Sequence, residues 1–112
     1  MVDKAELSLM LDYYGAFLTE RQSELMHMSA DEDMSLSEIS EQVGVSRQAV
    51  RDHLAKASKE LCGMEETLGM AERDRRLRAI CDMLDEAVAS GNAELAVNTC
   101  ASAAEMIRAT LR

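Results

Sequence analysis

The chain has 112 residues, no Pro, five Gly, 47% hydrophobic content and a formal net charge of −9. That length suits one small domain with a helical extension, and the scarcity of helix breakers points to helices rather than sheet. No apolar run approaches the roughly 18 residues of a membrane span, and "MVDKAELSLM" lacks a signal pattern, so a soluble, cytoplasmic protein with no membrane partner is expected.

A first helix is predicted over Lys4 to Phe17. Leu7, Met10, Leu11, Tyr14, Phe17 and Leu18 fall on one apolar stripe at helical spacing. Asp3 and Glu6 make a capping-box-like pair, with Val2 and Leu7 at the staple positions. A second helix starts at "LTERQ", with Thr19 as N-cap and Gln22 as its N3 partner. Leu25, Met26 and Met28 supply its apolar face, and it should end before the acidic "SADEDM".

The third helix is short. Ser35 and Glu38 form an S-x-x-E capping box, with Met34 and Ile39 as the staple. Gly44 stops it, because glycine enters the left-handed region without a Cβ penalty. A fourth helix begins two residues later, with Ser46 as N-cap and Val45 and Val50 as a staple. Val50, Leu54, Ala57, Leu61, Met64 and Leu68 are spaced 4, 3, 4, 3, 4, a strict heptad seam. The helix can run unbroken to Leu68, weakened at Gly63 by about 1 kcal/mol relative to Ala. Its seam has two candidate partners, the last two helices of the same chain or a second copy.

A fifth helix is expected from about Met70 to Ser90, with Leu77, Ile80, Cys81, Leu84 and Val88 inward. "SGN" makes a turn. A sixth helix follows from Ala93 to Leu111, with Ala96, Cys100, Ala103, Ile107 and Leu111 inward. The last two helices read as an antiparallel hairpin. The expected organisation is therefore all-α: a helix-turn-helix domain over residues 1–68 (motif 35–61) and a C-terminal helical hairpin over residues 69–112.

Cys62, Cys81 and Cys100 are each 19 residues apart, a spacing that matches no local ligand pair. They read as reduced, buried thiols, and no metal site or cofactor is expected. Catalysis needs a positioned nucleophile, base or metal. The sequence offers no Gly-rich phosphate loop and no Cys–His pair at a useful spacing, so an enzyme is not expected.

The segment "SLSEISEQVGVSRQAVRDHL" does carry a function-bearing pattern. Two capped helices, a glycine turn, apolar Ile39, Val43, Val45, Val50 and Leu54 and a small Ser40 at the close approach make a helix-turn-helix. Such a motif puts the N-terminal part of its second helix in the major groove. On the wheel, Gln48, Asp52, Ala55 and Lys59 lie opposite the seam, with Arg51 and Lys56 on its flanks. Arg47 and Arg51 suit guanine, and Gln48 suits adenine. Lys56, Lys59 and the backbone near Ser46 suit phosphates. Ala55 allows close approach. Asp52 either accepts from cytosine or, the simpler reading, pairs with Lys56 one turn on. His53 reads as a packing residue beside the seam. A second basic run, Arg73, Arg75, Arg76 and Arg78, either extends the positive surface or forms a solvated face balanced by Glu72 and Asp74.

The acidity is not where the motif is. Residues 1–45 carry ten acidic and two basic side chains, whereas residues 46–78 carry eight basic and six acidic. DNA responds to the local field, within about one Debye length of ~8 Å.

From Leu11 to Leu61 the sequence resembles region four of bacterial sigma factors. The phrases "DYYGAFLT", "LTERQ" and "SLSEISEQVGVSRQAV" bring it closer to the YlxM family of small bacterial helix-turn-helix proteins. The resemblance is weak from Gly69 onward. It implies a winged-less, sigma-region-four-like fold, DNA binding and a link to the signal recognition particle pathway. Where such proteins often carry an aromatic residue, this chain has Arg51, which puts a shared target sequence in doubt. A full sigma factor would need a polymerase-binding region, for which 112 residues leave no room.

The expected function is therefore a regulator that reads double-stranded DNA, working as a homodimer. The alternative is an interaction module for a protein or ribonucleoprotein, such as a signal recognition particle component, in which the motif is only a scaffold.

Overall fold

A computed structural model describes residues 3–111. These form six helices and no strand: α1 (Lys4–Tyr14), α2 (Glu20–Ala30), α3 (Leu36–Val43), α4 (Arg47–Leu68), α5 (Met70–Ala89) and α6 (Ala93–Thr110). The chain divides into two compact units, Met1–Ala71 and Glu72–Arg112. No described helix is long and apolar enough to cross a membrane.

The helix starts are set by side-chain caps. Asp3 accepts from the Glu6 backbone N–H at 2.8 Å. Thr19 with Gln22, and Ser35 with Glu38, each close a reciprocal capping box. Ser46 accepts from the Ala49 N–H at 3.0 Å, and Asn92 from the Leu95 N–H at 3.1 Å. Each cap satisfies a backbone donor that the helix itself cannot. Glu38 is held below the usual carboxylate range, first by the Ser35 backbone N–H and then by its hydroxyl. The Val2–Leu7 staple lies outside the described residues.

Two clusters make the core of the first unit. One joins Met10, Leu11, Tyr14 and Leu18 to Met26, Ala57, Leu61 and Ala71. The other joins Leu25, Met28, Ile39 and Val50, with Met34, Val43 and Val45 packed on it. Leu54 touches both. The α4 seam is therefore covered by α1, α2 and α3 of its own chain. Ala71 from the first turn of α5 joins the same cluster, a second copy is not needed for it, and its final residue, Leu68, is exposed. The seam ends at a left-handed Gly69, φ +63°, while Gly63 passes through α4 without a break.

Four boundary and burial expectations are corrected. First, α1 ends at Tyr14 and continues as a 3-10 turn over Gly15–Phe17. The tighter winding turns Phe17 off the stripe, leaving it 73% exposed. Second, α2 runs on to Ala30. Its end is held by Asp31, whose N–H bonds the His27 carbonyl and whose side chain takes Ser8 and His27.

Third, Leu77, Cys81 and Val88 of α5 are exposed, while Ile80 and Ala87 are buried. Fourth, Cys100, Ile107 and Leu111 of the last helical segment are exposed, while Ala103 and Thr110 are buried. In both helices the buried stripe lies one position round from the bulkiest apolar residues. Consequently only Cys62 is partly buried among the three thiols.

The α4–α5 junction is clamped by α1. Tyr14, 1% exposed, donates its hydroxyl to Glu65 at 2.7 Å. It accepts from the Met70 N–H at 3.0 Å, and Glu65 accepts from the Ala71 N–H at 2.9 Å. Two open donors at the start of α5 are thus satisfied by side chains from α1 and α4.

Candidate nucleic-acid interface

The α3–α4 turn is built locally. Gly44 sits at φ +74°, ψ +25°, and its N–H bonds the Ser40 carbonyl at 3.0 Å. The Ser40 hydroxyl donates to the Val45 carbonyl at 2.5 Å, so Ser40 ties the turn shut as well as being small. Ile39 and Val50, both fully buried, lock α3 onto α4. This fixes which side of α4 faces out.

All eight residues singled out from the sequence lie on that outer surface. Ser46, Arg47, Gln48, Arg51, Asp52, Ala55, Lys56 and Lys59 are each exposed. The helix period brings them together, because Val50, Ala57 and Leu61 are fixed in the core on the opposite side. Among the described residues no ion pair engages Arg47, Arg51, Lys56 or Lys59, whereas most of the other described Arg residues are tied to a carboxylate.

Asp52 is corrected in its partner. It accepts from the Gln48 side-chain amide at 2.9 Å, and no ion pair to Lys56 forms. Gln48 and Asp52 are one turn apart, and the short amide reaches the carboxylate without ordering a long lysine chain. His53 is corrected too. It is exposed and lines a depression of about 380 Å³ with Thr19, Gln22, Ala49, Asp52 and Lys56. The 100° step from the seam carries it past the packed face.

A second depression, about 700 Å³, lies at the start of the motif helices. Ser35, Leu36 and Ser37 of α3's first turn face Ser46, Arg47, Gln48 and Arg51 across it. Sequence reasoning missed the α3 contribution. The signal for it was the Ser35 cap, which marks a helix N-terminus opening beside that of α4. Both ends carry partial positive charge and unsatisfied N–H groups. The depression is therefore electropositive, lined by two helix ends and two unpaired guanidinium groups.

The other basic run behaves differently. Arg75 and Arg76 both bind Glu72, at 2.8 and 3.1 Å, and Arg78 binds Asp74. These pairs hold the Glu72 carboxyl below its ordinary range, Arg75 first. Of the two readings of this run, the balanced, solvated face fits these pairs. Among the described residues no group of three or more His, Cys, Asp or Glu side chains is arranged to hold a metal.

Comparison with known proteins points the same way as the fold. Residues 1–98 match the family UPF0122, described as "Putative helix-turn-helix protein, YlxM / p13 like". A UPF0122 protein of Symbiobacterium thermophilum is 45% identical over 79% of this chain and 82% of its own length. One from Desulforamulus reducens is 40% identical over 71% of this chain and 72% of its own. One from Clostridium kluyveri is 33% identical over 85% and 89%.

Proposed function

The chain belongs to the UPF0122 family of YlxM/p13-like helix-turn-helix proteins, and from that premise we propose that it binds double-stranded DNA through α4. The observation that carries the reading is the unpaired state of Arg47, Arg51, Lys56 and Lys59 on the exposed side of a helix-turn-helix. In the other basic run Arg75, Arg76 and Arg78 are spent on carboxylates, and these four are not. Arg47 and Arg51 reach guanine edges, Gln48 an adenine, and Lys56 and Lys59 phosphates. Ser46 offers backbone N–H groups to a phosphate, and Ala55 lets the groove wall approach. Asp52 holds Gln48, which gives the amide a fixed direction.

The net charge of −9 does not oppose this, because the acidic residues are concentrated in residues 1–45. It does limit strength. Three to five neutralised phosphates per chain give a log–log salt slope of roughly −3 to −4.5. Binding is weak, salt-sensitive and improved by a second copy, so the protein acts as a cytoplasmic homodimer on paired half-sites. A regulatory role and a link to the signal recognition particle pathway are taken from the likeness to the YlxM family.

Mobility shift with the DNA upstream of its own gene tests the reading. A shift at about 50 mM salt, lost on adding Arg47→Ala and Arg51→Ala together, is expected. No shift by the unaltered protein at that salt overturns it. Capture of a signal recognition particle protein or RNA without any DNA shift would support the scaffold alternative instead.

A further inference from the structure

We propose that a second copy of this chain docks on the exposed apolar stripe of α5, with the two α5 helices antiparallel. The inference supplies the interface for the homodimer of the reading above and rests on that reading only for its use on DNA.

Helices α5 and α6 each carry two apolar stripes at helical spacing, and only one of each is buried. In α5 the buried positions include Ile80 and Ala87. About 80° round lie Leu77, Cys81 and Val88, exposed, with a half-buried Leu84 between them, spaced 4, 3, 4. Leu77 is 40% exposed and Val88 77%. In α6 the exposed stripe includes Val97, Cys100 and Ile107, followed by Leu111 just past the helix end, with Val97 68% exposed. Spacings of three and four are what a facing helix fills with knobs in holes. Contiguous exposed apolar side chains mark interaction sites on soluble proteins.

The charges of α5 say which partner. Residues 72–78 carry four arginines and two acidic residues, and residues 79–89 carry three acidic residues and no basic one. With the in-chain pairs to Glu72 and Asp74 counted, the first stretch still carries a net +2 and the second −3, so the helix is bipolar. A second α5 lying parallel would set like charges together. Lying antiparallel, it sets the basic half of each copy against the acidic half of the other, twice, under one two-fold axis. The heptad register agrees. It stacks Leu77 on Val88 of the second copy and Cys81 on its Leu84. It also brings Arg78, which pairs with Asp74 in its own chain, beside Asp85 of the second copy on the same flank, where the guanidinium can bridge both carboxylates. The α4 seam cannot serve instead, since α1 to α3 cover it.

Light scattering of the full chain over a concentration series tests this. A mass twice 12.4 kDa is expected at the upper end, and a concentration-independent 12.4 kDa overturns it. Leu77→Glu with Val88→Glu should give the single-chain mass with the far-UV circular dichroism unchanged, because both side chains are already exposed. If that variant folds and stays dimeric, the interface is elsewhere and the proposal falls. Arg78→Glu should raise the dimer dissociation constant at least tenfold, and adding Asp85→Arg in the same chain should restore it. No restoration counts against the antiparallel register. The DNA reading fails separately: a dimer that shifts no DNA leaves this inference standing, and a monomer that shifts DNA leaves only the reading.

Discussion

Arg51 and Asp52 are neighbours with opposite parts on the exposed side of α4. Arg51 has no carboxylate partner among the described residues, and Asp52 is occupied by Gln48. On the proposed reading, Arg51→Ala costs about 1–3 kcal/mol of sequence-specific affinity, a loss of roughly 5- to 150-fold, and relaxes specificity at one base pair. Competition binding against single-base variants of the site checks it. Lys59→Ala should weaken all DNA alike and reduce the salt slope by about 0.9, which titrations at several salt concentrations would reveal. The same residue scale explains what spacing hid. A wheel places Asp52 within reach of both Gln48 and Lys56, and only the side-chain geometry chooses between them.

At the element scale, caps and turns decide where each helix begins and ends. The capping boxes at Thr19 and Ser35 were legible because the box is a local sequence code that tertiary contacts seldom override. Ser35→Ala should cost about 1 kcal/mol, read as a fall in the urea midpoint. Gly44→Ala should cost about 1–2 kcal/mol, since a Cβ there meets no atom within 4 Å and the loss is purely that of the left-handed backbone. Less legible were the stripes of α5 and α6. Each helix has apolar residues on two adjacent faces, and periodicity alone cannot say which face is buried. The tie between α1 and the start of α5 was illegible for another reason. Tyr14 and Met70 are 56 residues apart, and no local pattern joins them.

For the whole molecule, the first unit is held by contacts that titrate at both ends of the pH scale. Ser8 and His27 hold the Asp31 carboxyl low, in that order, and Lys4 does the same for Asp33. Their folded-state pKa values lie below the unfolded ones. The stability they confer is complete above about pH 4 and is lost as pH falls through the depressed values. Asp31→Asn should flatten that acid limb in thermal melts. Tyr14 runs the opposite way. Burial, and then the Glu65 hydrogen bond, raise its pKa above 10.0. Its contribution is complete below pH 10 and fades as pH rises through the folded value. Tyr14→Phe should therefore remove part of the alkaline loss of stability, while lowering stability at neutral pH by about 1 kcal/mol through the lost hydrogen bonds to Glu65 and the Met70 N–H.

The sequence by itself determined the helical class, the two capping boxes, the glycine turn and the side of α4 that faces out. Each follows from interactions within a few residues, or from a period that has only one apolar face to bury. Tertiary structure alone decided what covers the α4 seam, that Phe17 and the thiols of Cys81 and Cys100 stand exposed, and that α3's first turn opens beside Arg47 and Arg51. Those outcomes depend on which surfaces meet across long stretches of chain. Hydrophobic burial is non-directional, so a stripe records that it must be covered and not by what.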